Sequence, residues 1–406
     1  MLKFKKPNLL VLIIIGIVAG IVCGWFFNEP LTRCFVTFNS IFSNFLSFCI
    51  PLIILGFVAP AIADLGSSAG KMLLVTVLLA YGITVGAGFL SYFVSESFFP
   101  MFLSSVTNLE TLEEARELTP FFTINMPPFI DIMSALVLSF LIGIGLTQIK
   151  SEHNVLKNVI CEFKDIVAWI ISKIIVPLLP LYIFGIFLKM SVTGEVNSIL
   201  SAFYKIIIVI FALHLVWLFF LYTSAAFFSR GEKNPFKLFK TMLPAYFTAL
   251  GTSSSAATIP VTLRQTVKMG VDEDVAGFTI PLCATIDLSG SALKIVSCAV
   301  ALMMMRDIPY DFGMIAYFVA MMGIALVAAP GVPGGSIMAA VALLTSILGF
   351  SDTDCALMIA LYIAMDSFGT ACNVTGDGAI ALIVDRFFGK KAQESEDSES
   401  ILETAS

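Results

Sequence analysis

Four ionisable side chains lie inside long apolar sequence: Asp287, Lys294, Asp366 and Asp377. An ionised group at the centre of a bilayer costs about 2.5–3.5 kcal/mol even on the lenient insertion scale, so four facing lipid would cost on the order of 10 kcal/mol. They must face protein or a water-filled cavity. Asp366, Thr370, Asn373 and Asp377 follow i, i+4, i+7, i+11 spacing, one face of a helix. Two carboxylates, an amide and a hydroxyl are hard oxygen donors, suited to an alkali cation or a protonated amine. Gly369, Gly376 and Gly378 should loosen the chain there and let backbone carbonyls join. A second cluster, Thr285-Ile286-Asp287-Leu288-Ser289-Gly290-Ser291, interrupts another apolar run and should free further carbonyls. Lys294 stands seven residues after Asp287, about 10 Å along an ideal helix, so a direct pair needs that helix to break. The plainer readings are a polar packing stripe for the first cluster and a snorkelling lysine for Lys294.

Enzyme chemistry has little material. Asp366 and Asp377 are 11 residues apart, roughly 16 Å along a helix, too far to share a proton. His153 and His214 are the only histidines and neither sits in a cluster. The eight cysteines lack metal-type spacing and read as small buried apolar residues. A channel would call for a continuous polar path rather than one dense cluster.

The elements that must position these groups are apolar almost throughout. Of 406 residues, 58% are hydrophobic and 13% charged, and mean hydropathy is +0.96; a soluble domain carries about 25% charged residues. The net charge of −6 comes from short loops and the tail and offers no basic surface for nucleic acid. Apolar segments fall at 9–27, 37–63, 72–100, 127–149, 165–192, 198–228, 272–305 and 354–388. The first is long enough to span and lacks a clear cleavage site, so it reads as a span rather than a signal peptide. Two more segments, 236–266 and 310–350, are broken by Gly251-Thr252-Ser253-Ser254-Ser255 and by Ala329-Pro330-Gly331-Val332-Pro333-Gly334-Gly335-Ser336.

Charge asymmetry decides how to thread them. Lys3, Lys5 and Lys6, then Arg230 to Lys240, Arg264 with Lys268, and Arg386 to Lys391 are the basic loops, and basic loops stay cytoplasmic. All fall inside only if both broken segments dip in and return. The expected fold is thus an all-α polytopic membrane protein with eight transmembrane spans plus two opposed re-entrant hairpins, both termini cytoplasmic. Non-helical backbone at membrane depth survives only beside protein or a cavity, and opposed broken elements mark inverted repeats with a midplane site in secondary transporters.

These residues resemble the dicarboxylate/amino acid:cation symporters, which include glutamate and aspartate transporters. The similarity is carried by Ser254-Ser255-Ala256-Ala257-Thr258-Ile259-Pro260, Ala284 to Ser291, Gly331-Val332-Pro333-Gly334-Gly335 and Asp366 to Asp377. The resemblance implies a homotrimer in a bacterial inner membrane, working as an elevator with Na+ as coupling ion and no other cofactor. Spans 1–2 (1–71) would be scaffold, 72–150 would hold span 3 of the transport core and span 4 of the scaffold, and 151–229 spans 5 and 6. Residues 230–350 and 351–389 would complete the core, with a cytoplasmic tail at 390–406. The substrate would meet Ser254, Ser255, Val332, Gly334, Asp366, Gly369, Thr370 and Asn373, with Asp366 on its amino group. One Na+ site would use Asn373, Asp377 and backbone near Cys283 and Asp287; a second, Thr285 with carbonyls around Leu326, Val327 and Ala329.

Departures from the family pattern refine this. The arginine that pairs with an acidic side chain is Gly369 here, and its alternative position is Ser253. Asp366 is kept. An acidic substrate would lack its fork-shaped partner, which favours import of a neutral amino acid (serine, threonine or alanine), as in the bacterial sodium/serine-threonine symporters. The alternative is a proton- or sodium-coupled carrier of acidic amino acids or C4-dicarboxylates. The usual Asn-Met-Asp-Gly-Thr reads Asp287-Leu288-Ser289-Gly290-Ser291. A third Na+ site, expected near Tyr81 and Thr84, is therefore lost or remodelled, with Lys294 as a candidate tethered charge beside it.

Overall fold

The computed structural model describes residues 9–67, 71–103, 118–130, 132–148, 155–194, 196–229, 231–327, 329 and 334–389. Every regular element among them is helical. The first six are α1 (Leu9–Gly24), α2 (Glu29–Ser67), α3 (Lys71–Phe98), α4 (Ile132–Gln148), α5 (Val155–Thr193) and α6 (Val196–Phe228). The polar-interrupted segments follow as helix pairs: α7 (Pro235–Thr252) with α8 (Ser255–Lys268), and α11 (Phe312–Val327) with α12 (Gly335–Ser346). Between them lie α9 (Glu273–Ile286) and α10 (Ser289–Met305), and the chain closes with α13 (Asp352–Ala364) and α14 (Asp366–Phe388).

Among the described residues, five helical stretches are long and apolar enough to cross a membrane, and six if the bent pair α13–α14 counts as one. The helices α1 and α4, with 16 and 17 residues, rise only about 25 Å, short of a ~30 Å hydrocarbon core. Segment ends shift too: the second runs 29–67 rather than 37–63, because the helix continues past the apolar stretch through polar residues such as Thr32 and Arg33.

The helices sort into two groups by packing. In one, α1 packs along α5, and α2 along α4 and α5. The α1–α5 seam is made by small residues four apart. A Cβ at Gly16 would lie 2.7 Å from the Pro180 carbonyl oxygen, and at Gly20 2.6 Å from that of Phe184. Only glycine lets the backbones approach this closely, the usual device where lipid removes the hydrophobic drive for helix association. In the other group, α3 and α6 join α7 to α14, with α10 and α14 at the centre. Both are buried along almost their whole length.

The central helices break where the sequence is polar. The α9–α10 run parts at Asp287, whose extended backbone (φ −89°, ψ 105°) ends α9. The last run parts at Met365 with a bend of 63° between α13 and α14. Past that bend α14 is continuous through Gly369, Gly376 and Gly378, which corrects the expectation that those glycines loosen the chain. They are contact points instead, as the site shows.

Candidate functional site

The α7–α8 turn and the N-terminus of α12 both meet the start of α14. The α7–α8 turn is fixed by Ser253, a non-glycine residue at φ +49°, a region costly for a side chain. Its hydroxyl meets that of Ser367 at 2.7 Å, which ties the turn to α14. Ser254 caps α8, accepting the Ala257 N–H at 3.3 Å. In the second pair α12 is preceded by Gly334 at φ +77°, a conformation glycine adopts without penalty.

A cavity lies between the α7–α8 turn, the α9–α10 break and the start of α14. The first turn contributes Ser253, Ser254 and Ser255; the α9–α10 break contributes Ala284, Thr285, Leu288 and Ser291. Ala329 and Ser336 line it from the second pair, Tyr362 from α13, and Asp366, Thr370 and Asn373 from α14. Its volume is about 40 Å³, room for a few waters. The first-turn N–H groups of α8 and α12 have no intrahelical acceptors, so two helix N-termini at this wall favour an anion such as a carboxylate.

Asp366 opens α14 and is spoken for on both oxygens. Oδ1 accepts from the Lys294 ammonium at 3.4 Å, and Oδ2 from the Gly334 N–H at 3.2 Å. Lys294 is 0% exposed, which excludes snorkelling. Its ammonium also lies 3.5 Å from the Met365 carbonyl and 3.6 Å from the centroid of the Tyr362 ring. It occupies the space beside Gly369: a Cβ there would fall 2.4 Å from Lys294 Cε and 2.5 Å from Nζ. The expected place for Lys294 beside the third cation site is thereby corrected; one helical turn and the α13–α14 bend carry it to Asp366.

The remaining two carboxylates form a separate cluster. Asp287 Oδ1 accepts the Ser289 N–H at 3.3 Å, while Oδ2 and both oxygens of Asp377 are buried without a hydrogen bond. Asp287 lies against α14 at Gly376, where a Cβ would be 3.0 Å from Oδ2, one residue from Asp377. The hydroxyls of Thr84 and Ser289 are also buried and unpartnered, and Thr84 faces Asp287. Orphan oxygens of this number are costly in a dry interior. They fit a hard cation that takes only oxygen ligands.

Asn373 links the two regions. Its Oδ1 accepts the Gly290 N–H at 2.7 Å and its Nδ2 donates to Ser291 Oγ at 3.4 Å. A Cβ on Gly290 would sit 2.6 Å from the Gly369 carbonyl oxygen and 2.7 Å from Cys372 Cβ. Gly290→Ala should therefore force α10 off α14, costing about 1–3 kcal/mol. A lowered thermal midpoint in detergent, with Na+ protection weakened alongside, checks it.

A family profile now meets this geometry. The sodium:dicarboxylate symporter family matches residues 9–387, nearly the whole described chain. The chain belongs to that family. It is 29% identical over 285 residues to excitatory amino acid transporter 1 of Rattus norvegicus, covering 68% of this chain and 51% of the relative. It is 27% identical over 262 residues to an excitatory amino acid transporter of Caenorhabditis elegans, covering 63% and 50%. Excitatory amino acid transporter 2 of Homo sapiens is 35% identical over a shorter stretch of 159 residues, 39% of this chain and 28% of the relative. The chain spans about half the length of the first two relatives and less of the third.

Within this symporter-family site, Ser254, Ser255, Asp366, Thr370 and Asn373 line the cavity together. Gly334 meets Asp366 through its N–H, Gly369 faces Lys294 instead, and Val332 lies outside the described residues. Thr285 and Ala329 line the same cavity; Leu326 is buried and accepts the Ala329 N–H at 3.0 Å, and Val327 is half-buried nearby. Cys283 is buried, its carbonyl accepting the Asp287 N–H at 2.8 Å. Tyr81 departs from expectation: its hydroxyl donates to the Ala320 carbonyl at 3.3 Å and its ring packs at Gly323. Sequence reading missed Tyr362 and named Ser291 and Ser336 only as members of polar breaks, not as site residues. It also missed His214 and Tyr222 of α6, which hold the Gly290 and Thr375 carbonyls at 3.0 and 2.8 Å. A histidine in the middle of an apolar run was the one signal available for α6.

Proposed function

We propose that this family member is a Na+-coupled symporter importing a small neutral amino acid of the serine, threonine and alanine class. The observation that carries the reading is the lining of the cavity. It offers two helix N-termini for a carboxylate, Asp366 for an ammonium and hydroxyls for the rest, and among the described residues no lysine or arginine lines it. Na+ would sit at the Asp287–Asp377 cluster, with Asp287 and Thr84 supplying the third site in place of the aspartate that Ser289 replaces. A further Na+ would sit at Thr285 and the carbonyls of Leu326 to Ala329.

In this reading the helices are eight spans and two re-entrant pairs, and α3, α6 and α7 to α14 move as one core against α1, α2, α4 and α5. The division of packing supports that grouping. A homotrimer in a bacterial inner membrane, with cytoplasmic termini, follows from the family resemblance. A second reading, transport of acidic amino acids or dicarboxylates, draws on the relatives' names and on the Lys294 ammonium beside Gly369.

Uptake of labelled serine, threonine, alanine and aspartate into proteoliposomes separates the two. Na+-driven uptake of a neutral amino acid at least tenfold above aspartate is the expected outcome. Preference for aspartate or succinate would install the second reading.

A further inference from the structure

Asp366 already holds an ammonium, and that ammonium belongs to the protein. Lys294 is fully buried behind the cavity wall rather than in it, 3.4 Å from Asp366 Oδ1 and 3.6 Å from the Tyr362 ring centroid. Its place is built on both sides. Gly369 leaves the space that its Cε and Nζ fill, and Tyr362 is itself held by Ser291 at 2.8 Å. Among the described residues no other cationic side chain is paired with Asp366.

We propose that Lys294 is a resident counter-cation for Asp366, standing in for the substrate ammonium whenever the cavity is empty. The inference rests on the transport function proposed above. A substrate ammonium neutralises Asp366 only in the loaded carrier. After release, a carboxylate left with one backbone N–H for company would have to cross the low-dielectric interior uncompensated, at a steep cost. A tethered ammonium removes that cost at Asp366 in every empty state, so the empty core needs no cation from solution at that residue. The bound substrate then shares Asp366 with Lys294 rather than displacing it, since Asp366 lines the cavity while Lys294 lies buried behind it. Lys294 is thus a positioning and charge-balancing residue that acts through Asp366.

Two transport modes isolate the step. Exchange of labelled for unlabelled substrate uses only loaded crossings, while net uptake over many turnovers needs the empty return. In wild-type proteoliposomes, Na+-driven net uptake should be the same with K+, guanidinium or choline as the lumenal cation. In Lys294→Met the ratio of net uptake to exchange should fall by about tenfold or more, and lumenal guanidinium or K+ should restore part of it. An unchanged ratio in a variant that still exchanges would overturn the inference and leave the transport function standing. Should Lys294→Met not fold, the wild-type measurement decides: net uptake that demands a particular lumenal cation overturns it, and indifference supports it. Absence of any Na+-dependent exchange in the wild type would overturn the transport function and this inference together.

Discussion

Asp377→Asn is expected to remove the share of Na+-induced thermal stabilisation that arises at the Asp287–Asp377 cluster, while leaving the Na+-free protein at least as stable as wild type. The two signs have one cause. Both Asp377 oxygens are buried with no hydrogen bond, beside Asp287 Oδ2 in the same condition. Without a cation, a buried carboxylate with no partner is a liability, and an amide of the same shape carries less of it. With a cation, the carboxylate supplies charge that an amide lacks, and removing one partner of a buried ionic contact costs about 3–5 kcal/mol. That is a hundredfold or more in Na+ affinity. Ligand-induced stabilisation scales as the logarithm of occupancy, so a thermal melt titrated with NaCl against choline chloride reads both signs. Asp287→Asn should behave alike. A purely structural role for Asp377 predicts the reverse, with a lower Na+-free midpoint and an unchanged Na+ response.

Gly369→Arg is expected to eliminate transport of every substrate, and a second substitution, Lys294→Ser, to restore it with a preference for aspartate. The family resemblance implies an arginine at this position to read an acidic side chain, so the single change looks at first like a simple gain of specificity. Geometry forbids it. Any side chain at 369 begins within 2.4–2.5 Å of the Lys294 terminus, and it adds a second buried cation to one already paired with Asp366. Overlap and like-charge repulsion should displace Lys294, unseat Asp366 and cost uptake about a hundredfold or more. Shortening residue 294 to serine clears the space, and the guanidinium then serves both as the partner of Asp366 and as a fork toward the cavity. Uptake of labelled serine and aspartate by the two variants checks the pair. A single variant that gains aspartate transport unaided would show that the two residues do not compete for one site.

Much of the architecture was legible in the chain. Low charge, long apolar runs and polar breaks at 251–255 and near 329–336 marked helices and helix pairs, and α7–α8 and α11–α12 fall where they were expected. Of the stripe Asp366, Thr370, Asn373 and Asp377, read as one face, the first three line one cavity, while Asp377 lies apart beside Asp287. Local periodicity reports this well because helix geometry is local. The same reasoning misread the glycines of α14, since a glycine in sequence does not say whether it loosens its own helix or admits a neighbour. Gly369, Gly376 and Gly378 are answered by Lys294, Asp287 and Met242 from other helices.

The identities of the buried charges, and the need to hide them from lipid, were determined by the sequence alone, because the cost of an ion in hydrocarbon depends on the residue and not on its neighbours. Which charge meets which was decided by the tertiary structure. The spacing of Asp287 and Lys294 put them on one face of a helix about 10 Å apart, a direct pair only if that helix broke. The α9–α10 break and the 63° bend at Met365 instead send Asp287 toward Asp377 and Lys294 toward Asp366. Those pairings span 90 and 72 residues of chain and depend on where two helix backbones cross, which no local pattern encodes.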